Sequence, residues 1–342
     1  MSVEGDGPTS TRRPALDRTN AVPDTRHLTD AKRALLEKYL RGEAAPPTSP
    51  STGIAVSING ASVERRGRAV PVQTGGSRPP FFFLHAQWRA GGFFCYPMAK
   101  ALGPDQPFYA VEPYMFDGIQ EPPTLEAVAA AHLEYIRAIQ PQGPYRLGGW
   151  CGGGLIAYEM ARQLRAEGQE VETLVLMDPE SLVYPLPMRM LHRVVTRLGS
   201  MFHVGRDRQL DWFLSVLQQG ALRPIFYPDV VGYTRHVYWY LRYPHYREST
   251  RNWPVGRKDY PGIYHWIAMG YKPADVYPRQ LTFIWSKLQP FRKGWRMLEA
   301  ARSVEVHVLP ATHTACLDEH LGELSALLRA CLERSGRGDR AG

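Results

Sequence analysis

The chain has 342 residues, 44% of them hydrophobic and 22% charged, as expected of a globular protein with one large α/β domain and a lid, or with two small domains. No run of about 18 apolar residues occurs, which excludes a membrane-spanning helix. Lys and Arg number 41 against 33 Asp and Glu, and the resulting charge of +8 could attract nucleic acid, an anionic membrane or an acidic protein. With no basic run and no RNA-binding signature, an acidic protein is the expected partner, and neither nucleic acid nor membrane is expected.

Met1 to Asp24 is polar and has no apolar h-region, so it does not read as a secretory signal. Residues 1–27 read as disordered, being rich in Pro, Thr, Asp and Arg without apolar periodicity. Thr29 is placed to cap a helix over 30–41, with Ala31, Leu35 and Tyr39 on one face and Gly42 as its stop. Residues 43–53, with Pro46, Pro47 and Pro50, read as a linker. Residues 1–53 are thus expected to form an extension ahead of a domain over 54–333, with 334–342 a polar tail. Four cysteines, Cys95, Cys151, Cys316 and Cys331, show no C-x-x-C pairing and suit a reducing cytoplasm.

Asn59-Gly60 between 54–58 and 61–64 signals a hairpin, and 69–73 reads as a strand. Phe81-Phe82-Phe83-Leu84, following Pro79-Pro80, is too short for a helix and reads as a buried strand running into a loop over 85–92. A helix over 93–102, a strand over 107–112 and an amphipathic helix over 124–139 follow.

Tyr145 to Trp150 is then a short strand that runs into Cys151-Gly152-Gly153-Gly154 and a helix extending to Gly168. Gly149-Trp150-Cys151-Gly152-Gly153 is the G-x-S-x-G nucleophile elbow with sulfur in place of the hydroxyl, and its glycines answer backbone that passes too close for a Cβ. Cys151 stands at a helix N-terminus, where amide N–H groups and the helix dipole stabilise an anion. An elbow of this kind takes one oxyanion amide from the residue after the nucleophile, Gly152. The second comes from the loop after the earlier strand, where Gln87 is expected, with Ala86 next.

Val171 to Met177 is the next strand, and it delivers Asp178. Glu180, two residues on, is expected to be solvated. Residues 181–275 break the alternation of strands and helices and are expected to form a helical lid over the strand ends. Strands over 281–285 and 304–309 resume the pattern, His313 lies in the loop after the last of them, and a helix over 319–332 closes the domain. The whole reads as an α/β protein with a mostly parallel sheet covered by helices on both faces. The acid and base should follow the nucleophile in chain order, which selects Asp178 and His313 and leaves His85 a structural role.

From about Val70 to Cys331 the chain resembles the thioesterase domains and stand-alone thioesterases of nonribosomal peptide and polyketide synthases, which have the α/β-hydrolase fold. The resemblance rests on residues 79–85, 145–153, Tyr158-Glu159-Met160-Ala161, 174–178 and 308–313. It implies a helical lid, a triad at Cys151, Asp178 and His313, no metal or organic cofactor, and an acyl or peptidyl carrier protein as partner. That carrier would present its acyl thioester on a phosphopantetheine arm. Arg223, Arg235, Arg242, Arg247 and Arg251 in the lid would attract an acidic carrier.

Most of these enzymes carry serine where this chain carries Cys151. Loading a cysteine exchanges one thioester for another, so the acyl group stays mobile, and thiols and amines compete well with water for it. The expected activity is transfer of an acyl or aminoacyl group from a carrier thioester to a thiol, amine or hydroxyl. Hydrolytic editing or product release is the alternative reaction, and a non-catalytic scaffold that docks carriers is the alternative of another class.

Overall fold

The computed structural model describes residues 57–58, 61–62, 68–87, 92–180, 184, 186–218, 256–287, 301–313 and 315–338. The chain divides into two units, Met1–Ile54 and Ala55–Gly342, and every described residue belongs to the second. The expected disordered extension, the helix over 30–41, the linker, the Asn59-Gly60 turn and residues 88–91 lie outside the described residues. So do lid residues 219–255 with their five arginines, and the tail from 339.

Seven strands make the main sheet: β3 (Ala69–Gln73), β4 (Phe81–Leu84), β5 (Phe108–Val111), β6 (Tyr145–Trp150), β7 (Val171–Met177), β8 (Tyr277–Ser286) and β9 (Ala301–Leu309). A separate antiparallel pair, β1 (Ser57–Ile58) with β2 (Ala61–Ser62), precedes them. The sheet order is β3-β5-β4-β6-β7-β8-β9; only β3 runs antiparallel to its neighbour, and the other pairs are parallel. This is the α/β-hydrolase fold.

Side chains alternate across this sheet with the two-residue period of a strand. Phe82 and Leu84 face one apolar layer with Leu147, Leu174, Leu176, Phe283 and Trp285. Phe81 and Phe83 face the other with Trp150, Val175, Met177 and Ile284. The first layer is covered by α2 (Leu125–Arg137) and α3 (Gly152–Ala166), and the second by α1 (Cys95–Leu102) and α7 (Leu321–Gly338). Phe81, Phe82 and Phe83 are fully buried, each contributing about 1.5–3 kcal/mol by the area removed from water.

Local signals set the helix ends. Thr124 caps α2, its hydroxyl accepting from the Ala127 amide at 3.2 Å, a contact worth about 1 kcal/mol. Gly103, at φ 94°, ends α1. Between β7 and β8 come α4 (Leu186–Met201), α5 (Arg206–Leu217) and α6 (Tyr260–Gly270), which are helical as expected of the lid segment. Asp259 caps α6 by accepting from the Gly262 amide at 3.1 Å.

Candidate functional site

The site is built at the carboxyl ends of β6, β7 and β9, with an amide from the end of β8. Cys151 leaves β6 at φ 55° and ψ −127°, a positive φ that a side-chain-bearing residue adopts only when its surroundings enforce it. Its amide donates to Met177 O at 3.0 Å, and its carbonyl accepts from the amides of Gly154 at 3.0 Å and Glu180 at 3.1 Å. The elbow is therefore sewn to the end of β7. A Cβ on Gly149 would stand 2.3 Å from Gly153 O, and one on Gly153 would stand 2.3 Å from Leu84 O, so both positions require glycine.

Asp178 follows β7 directly, also at positive φ (41°), and is 2% exposed. Its Oδ1 accepts from the Ser286 amide at 2.6 Å, and its Oδ2 lies 3.0 Å from Nδ1 of His313. The carboxylate is thus fixed on one oxygen and aims the other at the imidazole. Cys151 also acts on the His313 ring. Burial works against its charged form, yet the hydrogen bonds to Asp178 and Cys151 and their charges outweigh it and push its pKa up to about 10.

The other cysteines and histidines have different surroundings. Cys95, Cys316 and Cys331 are buried, whereas Cys151 is half-buried. Burial raises the thiol pKa of all three, that of Cys316 to about 12. His307 Nε2 lies 3.0 Å from Glu305, and His320 Nδ1 lies 3.4 Å from Glu323. His85 is buried, and desolvation lowers its pKa to about 4, so its ring is neutral at pH 7.

The expected oxyanion donors differ in disposition. Gly152 N–H belongs to the first turn of α3, where amides have no partner within the helix. The Gln87 amide instead donates to Nδ1 of His85 at 3.2 Å, following Ala86 at φ 48°. To meet an oxyanion, Gln87 would have to share or release that bond.

Glu180 corrects the sequence reading: it is 6% exposed, and its Oε1 lies 2.8 Å from Nδ1 of His265 on α6. Burial disfavours a charged His265, and the charge of Glu180 beside it outweighs that and raises its pKa. Tyr264, the preceding residue, is buried and donates to Gly152 O at 2.9 Å. Tyr271 donates to Glu159 at 2.5 Å, and Glu159 also pairs with Arg162 at 2.9 Å. The last lid helix is thereby joined to the elbow helix by polar contacts that nothing in the local sequence announces.

One group among the described residues could hold a metal: Glu305, His307 and Cys331, whose donor atoms lie within 4.8 Å of one another. The carboxylate of Glu305 is already met by Arg334 at 2.7 and 2.9 Å, Gln280 at 3.1 Å and Thr282 at 3.3 Å, leaving little capacity for a cation. The described residues include no helix long and apolar enough to cross a membrane.

Residues 90–208 match the family model of the thioesterase domain. The chain is similar to the non-reducing polyketide synthase atnG of Arthrinium sp, 37% identical over 161 residues that cover 44% of this chain and 8% of that protein. It is also similar to a dimodular nonribosomal peptide synthase of Bacillus subtilis strain 168, 39% identical over 112 residues that cover 32% of this chain and 5% of that protein. The chain therefore spans less than a tenth of the length of these relatives. Among solved structures it is similar to the NocB thioesterase domain in covalent complex with a fluorophosphonate nocardicin G analog. That likeness has 21% identity and a TM-score of 0.46, covering 75% of this chain and 96% of the other.

Proposed function

We propose that this chain is an enzyme that handles carrier-bound thioesters, a reading supported by the match of residues 90–208 to the thioesterase-domain family model and by similarity to polyketide and nonribosomal peptide synthases. In this reading it takes an acyl or aminoacyl group onto Cys151 and passes it to a thiol, amine or hydroxyl. The observation that supports it most is the pairing of Asp178 with His313 at 3.0 Å, beside a Cys151 held in the elbow at positive φ.

Each part of the proposed cycle falls to a residue already placed. Cys151 Sγ, its proton taken by His313, attacks the thioester carbonyl. Asp178 keeps the Nδ1–H tautomer and stabilises the imidazolium that forms. The Gly152 amide receives the developing oxyanion, with Gln87 as second donor if its bond to His85 opens. Collapse breaks the carbon–sulfur bond to phosphopantetheine, and His313 returns the proton to the departing thiolate. The acceptor then enters, gives its proton to His313 and releases Cys151. No metal or organic cofactor is required, and the phosphopantetheine arrives on the carrier protein.

The test is the mass of Cys151 after incubation with an acylated carrier, followed by the ratio of transferred to hydrolysed product with a second carrier and with a free amine. An acyl adduct on Cys151 and transfer in excess of hydrolysis are expected, and Cys151→Ser should shift product toward free acid. If water wins with every acceptor and Cys151→Ser leaves the ratio unchanged, the chain is a hydrolytic thioesterase. If no adduct forms, the scaffold reading replaces the catalytic one.

A further inference from the structure

Trp150 lies with its indole face against the imidazole of His313, with ring centroids 4.5 Å apart and planes inclined by 18°. The indole is itself held, being 7% exposed and meeting Phe94 edge to face at 5.8 Å and 65°. His313 is thus contacted on several sides by different elements. Asp178, from the end of β7, faces Nδ1, Cys151 from the elbow acts on the ring, and Trp150, from the last position of β6, covers its face. Below it, the Cys316 thiol donates to the His313 carbonyl at 2.9 Å, fixing the backbone of the loop.

We propose that Trp150 is a positioning residue, whose π face holds the His313 ring in the plane shared with Asp178 and Cys151 and favours its cationic form. The inference rests on the functional reading of Cys151, His313 and Asp178 given above. A tryptophan face carries the most negative quadrupole among the side chains, and a cation stacked on it out of bulk water is stabilised. The sulfur nucleophile gives this contact a role at rest. A serine hydroxyl beside histidine stays neutral until substrate arrives, whereas a thiol can pass its proton to the imidazole beforehand. A face that favours the imidazolium then favours the charged pair. The raised pKa of His313 is consistent with such a resting state.

The test uses the full chain labelled with [15N]histidine, with the His313 ring resonance assigned by its loss in His313→Gln and followed by NMR against pH. Trp150→Leu is expected to lower the His313 midpoint by about one pH unit, and Trp150→Phe to recover a good part of that shift. Replacing the tryptophans biosynthetically with 5-fluoro- and then trifluorotryptophan weakens the ring quadrupole while preserving its shape. That series should lower the midpoint stepwise even if Trp150→Leu fails to fold. A midpoint unchanged across the fluorinated series would overturn the inference, because a purely steric role is blind to fluorine. Cys151→Ser, titrated alongside, separates this from the functional reading. If its His313 midpoint equals the native one, sulfur does not share the proton at rest and the resting role of the contact fails; absence of an acyl adduct on Cys151 is what sinks the functional reading, while the indole effect is decided by the fluorinated series.

Discussion

Gly153→Ala probes how tightly the elbow is wedged into the sheet. A methyl there would stand 2.3 Å from Leu84 O, 2.8 Å from Leu84 C and 3.0 Å from Leu84 Cβ. Leu84 ends β4 between two neighbours, in register with Val111 of β5 and Gly149 of β6, so its carbonyl has no free direction of retreat. Relief must come from moving the start of α3 away from β4, and overpacking of this kind costs about 1–3 kcal/mol. With backbone on both sides the upper end applies, and about 3 kcal/mol in a chain of this size lowers Tm by about 6 °C. At Gly152 the added methyl would instead meet a side chain, with Cζ of Tyr264 at 3.0 Å, a milder overlap than 2.3 Å against backbone, so about 1 kcal/mol and about 2 °C are expected there. Calorimetry gives the order of the two variants, and intact mass after exposure to an acyl thioester shows whether Cys151 still loads. Gly153→Ala should load poorly because its helix start shifts against the loop after β4. Were Gly153→Ala to melt within 2 °C of native and load normally, or Gly152→Ala to prove the worse variant, the wedge described here would be wrong.

Four further outcomes are expected. Cys151→Ala should abolish acyl loading while Cys331→Ala leaves it intact; Asp178→Asn and His313→Ala should each slow transfer by orders of magnitude, with the double substitution adding little, as single-turnover rates would show. His265 has a raised pKa in the folded state, with burial opposing and Glu180 favouring its charge, so its contribution to stability is complete below about pH 6.5 and is lost as pH rises through the folded value. Melting curves across that window should therefore fall with rising pH in the native chain and flatten in Glu180→Gln. His132 has the opposite sign: it is fully buried, neither ring nitrogen has a hydrogen-bond partner, and burial lowers its pKa to about 4. Stability should then decline as pH falls from about 6.5 toward 4, and His132→Phe should reduce that decline and raise Tm at pH 5, a rise whose absence would show the ring to be partnered.

Much of this architecture was legible locally. Phe81 to Leu84 could only be a buried strand, Thr124 marked the start of α2, and the glycines around Cys151 announced a turn that the structure explains by contacts of 2.3 Å. Element ends were less so. β8 begins at Tyr277 and not at 281, β9 at Ala301 and not at 304, and α7 runs to Gly338 and not to 332. The added strand residues are largely polar and exposed, and they pair through backbone, which leaves no hydrophobic pattern to read. The same reason hid Ser286: the strand ending there lacks a carboxylate, yet its amide holds Asp178. Glu180 looked solvated because its partner, His265, sits on a lid helix distant in sequence, and Trp150 was unremarkable until the fold laid it on His313.

Asp178 and His313 are 135 positions apart, and the strand that carries His313 to its place, β9, is the last to be synthesised and lies at the sheet's edge. In chain order Cys151 therefore comes well before His313. Their meeting depends on β9 docking on β8, so the outermost strand pair, and not the elbow itself, fixes where His313 stands. Under the proposed function, a chain lacking residue 313 would keep the elbow and its sulfur but lose the base proposed to act on it.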